Sequence, residues 1–355
     1  MSLAGTRGCG VIENYRYRLC PKPEKDFRSL VSIHIHSSYS IENLASLNEV
    51  VKLRYMQPFR ETLQGAFGLD WVRDLDYAEV RYNPPLTPEG VFRLETAAIR
   101  RLGFDCAGVS ITDHDEVAGS LDLLRRRPAD SGRIALGEEL SIRYRGHLFH
   151  LGISGLEELG LEDTHRNLQL LAQQGELDEL FELLRTTRCL VVLNHPLISW
   201  AGEQPADIPV IELLSRYGWA IHALEFNGMR RSEENDRVLE LARQVGKPVV
   251  GGGDSHLLLP SSVLCASPGA ATFADFVEEV KSGVAVPFVK RDYFAPLKWK
   301  LFLRVLSFIR DYRRIAHFRG EPVSRMLQGE MVMLDPVGVA ARVFLGAVSA
   351  LGLAR

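Results

Sequence analysis

Residues 32–40 read SIHIHSSYS and place two histidines two positions apart in a run of strand-forming residues. Side chains alternate between the two faces of a strand, so His34 and His36 share one face. Two imidazoles on one face are either a buried polar pair, which needs hydrogen-bond partners, or two ligands of a metal site. The residues further along the chain decide between these readings.

The overall composition is typical of a globular protein. The chain has 355 residues, of which 46% are hydrophobic and 25% charged, enough for one large α/β domain or two ordinary ones. A net charge of −3 predicts no general attraction to nucleic acid or membranes. The 5 cysteines are scattered without a CxxC pair, which indicates a reducing compartment and neither a thiolate zinc site nor a redox pair.

The segment 1–20 has no apolar stretch of the kind found in signal peptides, and no clean run of apolar residues is long enough to predict a transmembrane helix. We therefore expect a cytoplasmic protein.

Short apolar runs alternate with helical patterns along most of the chain. The candidate strands are 31–36, 106–112, 133–142, 147–153, 189–195, 221–227 and 248–254. Repeated alternation of strand and helix favours parallel strands joined by crossover helices. We expect a (β/α) barrel, in which functional residues collect at the carboxyl ends of the strands.

Polar side chains lie in or at the ends of nearly all of these strands. They form the motifs HIH (34–36), TDHD (112–115), GEEL (137–140), GHLFHLG (146–152), NHP (194–196), EFNG (225–228) and GDSH (253–256). Imidazoles together with a carboxylate that can bridge suit two or three borderline divalent ions. Metal ions about 3.5–4 Å apart suit an in-line displacement at phosphorus, in which a metal-bound hydroxide attacks.

These motifs, in this order over residues 30–285, resemble the polymerase and histidinol phosphatase (PHP) family. The resemblance implies a distorted seven-stranded (β/α) barrel and metal-dependent hydrolysis of a phosphomonoester or small phosphodiester. It also implies two or three divalent metal ions, which would be manganese, zinc or iron. The residues that match metal ligands of the family are His34, His36, His114, Glu139, His147, His195, Asp254 and His256.

The resemblance also assigns roles near the metals. His114 and His256 are expected to bind a third metal or the substrate phosphate, and Asp113 to support the site from behind. Glu138 and Glu139 face opposite sides of a strand, and we expect Glu139 to enter the site. His147 and His150 also face opposite sides, and the family spacing favours His147.

Substrate recognition requires positive charge or N–H donors beyond the metals. Arg230 and Arg231 follow EFNG and are the first candidates, with Arg143 and Arg145 next. Asn227 is expected to hold this loop or to bind a phosphate oxygen.

Segments outside the motifs complete the predicted domain organisation. Residues 1–29 are an N-terminal extension, 41–85 an apparent insertion with helical patterning, and 286–355 a helical C-terminal extension. The insertion follows Ser40, where family members usually continue with Asp-Gly. Because this aspartate is displaced here, the number of metal ions stays open at two or three. It is either a lid over the site or a peripheral decoration.

The C-terminal extension contains a basic amphipathic segment at 298–320 and an apolar one at 336–352. They could lie on an anionic membrane surface, pack on the barrel or pair across a dimer, and we expect packing. A phosphorylated small molecule is the expected substrate, and no motif indicates a nucleic-acid partner. An exonuclease and a non-catalytic interaction module remain the alternatives, and the oligomeric state is open.

Overall fold

This computed structural model describes residues 27–43, 81–84, 86–198, 207–256, 259–295 and 327–328. The chain divides into two compact units. The first consists of Met1–Ser40, Thr87–His256 and Pro260–Ala295, and the second of Ile41–Leu86, Leu257–Leu259 and Pro296–Arg355.

The described strands, in chain order, are β1 (Ser29–Ile35), β2 (Glu42–Asn43), β3 (Arg81–Tyr82), β4 (Asp105–Ile111), β5 (Ile134–Ala135), β6 (Gly137–Tyr144), β7 (His147–Ser154), β8 (Leu190–Asn194), β9 (Ala223–Asn227), β10 (Val249–Gly252), β11 (Val263–Ser267), β12 (Val286–Val289) and β13 (Leu327–Gln328). The described α-helices are α1 (Pro88–Arg101), α2 (Ala118–Arg126), α3 (Leu161–Gln174), α4 (Leu177–Thr186), α5 (Asp207–Tyr217), α6 (Ser232–Val245) and α7 (Phe273–Lys281). Short 3₁₀ helices cover Pro128–Arg133 and Arg291–Phe294.

The first unit has a mixed α/β fold with two five-stranded sheets, in the orders β12-β11-β1-β4-β5 and β10-β9-β8-β7-β6. The expected seven-stranded barrel is therefore not seen, because the strands of this unit lie in two separate sheets within the described residues. The strand β12 belongs to the first sheet and lies beyond the predicted domain end at residue 285.

Several strand pairs are antiparallel, whereas the sequence pattern predicted parallel pairing. The pairs β6–β7, β7–β8, β1–β11 and β11–β12 are antiparallel. Between β6 and β7 the reason is local: the connecting residues Arg145 and Gly146 have φ values of 53° and 80°. Two such residues form a tight hairpin turn whose twist matches the strands, and no helix can fit between them.

The two sheets share an apolar cluster, which includes Val31 and Ala107 from the first sheet and Val192, Ala223 and Val250 from the second. Period-2 alternation continues this inner face toward the carboxyl ends of the strands. There Val192 is followed on its face by Asn194, Ala223 by Glu225 and Asn227, and Val250 by Gly252 and Asp254. The inner face thus changes from apolar to polar at one end.

Isolated pairings join the two sheets at this polar end. Beyond β10, Asp254 N–H donates to the carbonyl of His34 in β1 at 2.6 Å. Beyond β4, the carbonyl of Asp113 accepts from Glu139 N–H in β6 at 3.0 Å. These links bring the polar ends of β1, β4, β6 and β10 together.

In the second unit, β2, β3 and β13 form a small antiparallel sheet. Leu327 pairs with Tyr82, so a segment of the C-terminal extension pairs with the end of the insertion. The helical pattern predicted within 41–85 lies outside the described residues, as do the segments 298–320 and 336–352. None of the described helices has the length and apolarity needed to cross a membrane.

Glu95 of α1 is a buried carboxylate that connects three parts of the first unit. Its Oε2 accepts from Ser32 Oγ of β1 at 2.8 Å. Its Oε1 accepts from Ser261 N–H at 2.8 Å and from Ser261 Oγ at 3.1 Å, just before β11. Burial raises the pKa of Glu95, and the bonds from Ser261 and Ser32 oppose that rise.

We predict that Glu95→Ala lowers the free energy of unfolding by about 3 kcal/mol, because it leaves the Ser261 N–H buried without an acceptor and creates a cavity. Glu95→Gln keeps an acceptor and should cost about 1 kcal/mol or less. Urea denaturation measures both, and equal losses would contradict the prediction.

The raised pKa of Glu95 means that the folded state holds the proton of this carboxyl group more tightly than the unfolded chain does. The stability contributed by Glu95 therefore falls as pH rises from the pKa of the unfolded chain to the higher pKa of the folded protein. Glu95→Gln removes that decline.

Candidate metal centre

The centre of the polar end is the carboxylate of Glu139 in β6, which is fully buried. Five imidazoles surround it. The ring nitrogens nearest to Oε1 are His34 Nε2 at 3.1 Å, His150 Nδ1 at 3.2 Å and His195 Nε2 at 3.2 Å. Those nearest to Oε2 are His114 Nδ1 at 3.2 Å and His36 Nε2 at 3.3 Å.

Two further side chains extend the cluster. Asp254 Oδ1 lies 3.6 Å from His34 Nε2 and 3.8 Å from His36 Nε2. The ring of His256 stacks on His36 with the ring centroids 4.1 Å apart. The cluster therefore combines imidazoles from both sheets with two carboxylates.

The cluster contains four overlapping sets of potential metal ligands, each with its ligand atoms within 4.8 Å of one another. They are His34–His195–Asp254, His34–His36–Glu139, His114–Glu139–His150 and His36–His114–His256. Imidazole nitrogen with carboxylate oxygen is a donor set that suits zinc, manganese or iron.

Charge and burial act against each other in this cluster. Burial alone would lower the pKa of His34, but Glu139, Glu225 and Asp254 outweigh it and raise that pKa well above its usual value. Burial alone would raise the pKa of Glu139, but His34, His114 and His150 hold it well below its usual range. Burial lowers the pKa of His150 despite the nearby Glu139, which favours the neutral ring that binds metals.

Two buried atoms support the fit of these residues to metal ions. His34 Nε2 and Glu139 Oε2 have no hydrogen-bond partner among the described residues, although both face other ligand atoms. Buried polar atoms are normally satisfied by a partner, and an ion between these groups would supply one. The residues present therefore fit divalent metal ions.

Three of the ligand-type residues have left-handed backbone conformations, which are uncommon for residues other than glycine. The φ values are 59° for His34, 26° for His195 and 47° for Asp254. His34 is the penultimate residue of β1, and His195 and Asp254 follow β8 and β10. The left-handed turn at each strand end therefore accompanies the change from regular pairing to the cluster.

No family model matches this chain, and no curated protein matches it. A two-domain protein from Bacteroides vulgatus that contains a predicted PHP-like metal-dependent phosphoesterase is similar in structure, with a TM-score of 0.44, 14% identity and coverage of 76% of this chain and 67% of that one. A proposed metal-dependent phosphoesterase from Bifidobacterium adolescentis is similar with a TM-score of 0.36 and 16% identity, and the match covers 56% of this chain and 91% of that one. An amidohydrolase from Chromobacterium violaceum with bound sulfate is similar with a TM-score of 0.35 and 14% identity, and the match covers 49% of this chain and 83% of that one.

The chain is thus similar to PHP-like metal-dependent phosphoesterases.

The structure brings His150 to Glu139, whereas the PHP-like spacing favoured His147. The tight turn at Arg145–Gly146 pairs Tyr144 with His147 and Ser141 with His150. Residues directly opposite each other share a face, so His150 lies on the face of Ser141 and Glu139. His147 lies on the other face, with its ring centroid 6.3 Å from that of Phe149. The turn residues Arg145 and Gly146 are the local signal in the sequence that sets this register.

Asp113 and Glu138 lie beside the cluster without belonging to its ligand sets. Asp113 accepts from the N–H and Oγ of Ser37 at 2.5 and 2.7 Å, so it holds the segment that follows His36. Glu138 faces away from Glu139 and accepts from Gln169 Nε2 at 2.8 Å, with His165 Nδ1 at 3.1 Å.

The predicted substrate-binding residues occupy different environments. Asn227 is buried, and its Nδ2 donates to Glu225 Oε2 at 2.8 Å and to Asp254 Oδ2 at 3.0 Å. The N–H donors of this amide bind two carboxylates of the site rather than a phosphate oxygen. Its Oδ1 accepts from the N–H of Met229 in the following loop at 2.8 Å. Arg231 has a largely exposed side chain near Glu234 at the start of α6. Arg230 is half-buried, and its Nε has no hydrogen-bond partner within the described residues.

The different positions of His147 and His150 in the hairpin allow a matched pair of variants. We predict that His150→Ala lowers metal affinity by at least about tenfold, because even the outer partners of metal ligands contribute this much. His147→Ala should retain the metal, since that ring lies on the other face of the hairpin. Elemental analysis after dialysis against a weak chelator measures both variants. Metal loss from His147→Ala alone would restore the assignment made from spacing.

Proposed function

We propose that this protein is a metal-dependent phosphoesterase that hydrolyses a phosphomonoester or a small phosphodiester. The observation that carries the proposal is the buried Glu139 carboxylate with five imidazoles within 3.1–3.3 Å of its oxygens. Such a concentration of borderline ligands in a buried site suits a multinuclear metal centre better than a packed core, where polar groups are few and fully paired.

The proposed ligands are those of the four sets described above, with Glu139 shared between two of them. Two or three ions of manganese, zinc or iron would fit this number of donors. When bound, such ions would lower the pKa of a coordinated water and neutralise negative charge on a phosphoryl group. His114 and His256 are the residues that would hold a third ion or contact the phosphate.

The remaining residues have supporting roles in the proposal. The Glu139 carboxylate would balance part of the charge of bound metal ions, and Asp113 keeps the segment after His36 in place through Ser37. Arg230 is the proposed phosphate-binding residue, because its half-buried guanidinium has a donor without a partner among the described residues.

The choice of phosphoester over other substrates rests on the motif order from His34 to His256, which resembles that of the PHP family. A phosphorylated small molecule is the proposed partner, in a cytoplasmic setting. Because carboxylate–imidazole metal sites also serve other hydrolases, the assay must include an amide substrate.

We predict that the protein loaded with Mn²⁺ or Zn²⁺ hydrolyses an aryl phosphate, an aryl phosphodiester or a nucleotide, and that Glu139→Gln lowers kcat by at least about 100-fold. Glu138→Gln is the matched control, because this neighbouring carboxylate is equally buried but faces α3. Hydrolysis of an amide and of no phosphoester would overturn the proposed substrate class, and equal losses for both variants would overturn the role of Glu139.

A second prediction separates the two arginines. Arg230→Ala should raise KM for a phosphoester about tenfold, as expected for the loss of one charge-assisted contact. Arg231→Ala should raise KM less, because its exposed side chain lies near Glu234. Steady-state kinetics on the metal-loaded protein measures both, and the opposite order would assign phosphate binding to Arg231.

A further inference from the structure

Glu225 is a buried carboxylate of β9 that belongs to none of the metal-ligand sets among the described residues, yet it contacts one of these sets closely. That set consists of His34, His195 and Asp254. The EFNG motif contains Glu225, but the sequence pattern assigned a role only to the asparagine of this motif.

Each oxygen of Glu225 has a defined partner. Oε1 lies 2.5 Å from His34 Nδ1, while Oε2 accepts from the backbone N–H of His195 at 2.8 Å. Oε2 also accepts from Asn227 Nδ2 at 2.8 Å, and the same amide donates to Asp254 Oδ2 at 3.0 Å. One carboxylate thus contacts the ring of one ligand, the backbone of the second and, through Asn227, the side chain of the third.

The contact with His34 determines how that ring can bind a metal. Glu225 Oε1 is positioned to accept a hydrogen bond from the ring, so the proton of His34 lies on Nδ1. The lone pair of the neutral ring then lies on Nε2, which faces Glu139 Oε1 at 3.1 Å and Asp254 Oδ1 at 3.6 Å. Glu225 therefore selects the tautomer whose free nitrogen faces the other ligands.

The backbone of the three ligands also needs support. His34, His195 and Asp254 all have positive φ values, at 59°, 26° and 47°. Such conformations are strained for residues other than glycine and persist where the surroundings enforce them. The bond from His195 N–H to Glu225 acts directly on the backbone of one of these residues, and the bond from Asn227 to Asp254 Oδ2 holds the side chain of another.

The neighbouring strand leaves space for this carboxylate. Gly252 of β10 pairs with Asn227, and a Cβ at Gly252 would lie only 1.6 Å from Glu225 Oε1. Any larger residue at position 252 would have to displace the carboxylate from His34. The glycine is therefore required by the position of Glu225.

We propose that Glu225 is a positioning residue that sets the tautomer of His34 and fixes His195 and Asp254 for one metal ion. The proposal rests on the proposed function, because it concerns one of the ion sites of the same centre. It assigns to Glu225 no contact with substrate or metal.

The test compares Glu225→Gln, Gly252→Ala and the control Glu138→Gln, a buried carboxylate whose partners are His165 and Gln169. Glutamine can still accept one hydrogen bond, but its amide group meets a donor at the other oxygen position. Zn²⁺ binding is titrated against a chromophoric chelator, with elemental analysis for stoichiometry. Thermal melting shows whether each variant is folded.

We expect Glu225→Gln and Gly252→Ala each to weaken one zinc ion by about 10- to 100-fold while the ion held at His114, Glu139 and His150 is retained. The variant that combines both substitutions should lose no more zinc affinity than the single variant that binds zinc less tightly, since both changes act on the same contact. In long-range ¹H–¹⁵N spectra of the zinc-loaded protein, the His34 Nδ1–H signal should shift in both variants and not in the control.

Equal zinc affinity and an unchanged His34 signal in Glu225→Gln and Glu138→Gln would overturn the proposal, as would a wild-type His34 ring protonated on Nε2. A folded Gly252→Ala protein with unchanged zinc affinity would overturn it as well. Failure of the proposed function gives a different result, namely a zinc-loaded wild-type protein that hydrolyses no phosphoester.

Discussion

The burial of the Glu139 carboxylate is the constraint on which the rest of the first unit depends. Removing an ionised carboxylate from water costs several kcal/mol unless compensating groups surround it. Here the compensation comes from imidazoles contributed by β1, β7 and the residues after β4 and β8. Strands that are distant in sequence must therefore end at one place, and the isolated pairings between the two sheets hold them there.

The inner face between the sheets explains how one fold supports both a core and a polar centre. Apolar side chains such as Val192, Ala223 and Val250 fill the part that is covered on both sides. Continuing with the same period along β8, β9 and β10, the following inward residues are polar. The apolar part contributes stability through burial, and the polar end depends on partners that satisfy every buried charge.

Much of this centre could be predicted because ligand residues lie in short motifs whose spacing is local. His34 and His36 share a strand face by alternation, and the same rule shows that only one of Glu138 and Glu139 can enter the site. The preference for Glu139 came from the resemblance to the PHP family. The choice between His147 and His150 required the register of a hairpin, which depends on the turn at Arg145–Gly146. Glu225 was missed because its partners, His34 and His195, are remote in sequence and meet it only when β1, β8 and β9 come together.

By itself, the sequence determined which kinds of side chain form the cluster: the motifs supply imidazoles and carboxylates, and alternation shows which of them can share a strand face. Only the tertiary structure decided which oxygens and nitrogens meet, how the strands pair and which carboxylates support the ligands. The physical reason is range. Alternation and turn geometry act between neighbours in the chain, whereas the charge balance of a buried site arises among side chains that share no local pattern and are adjacent only after folding.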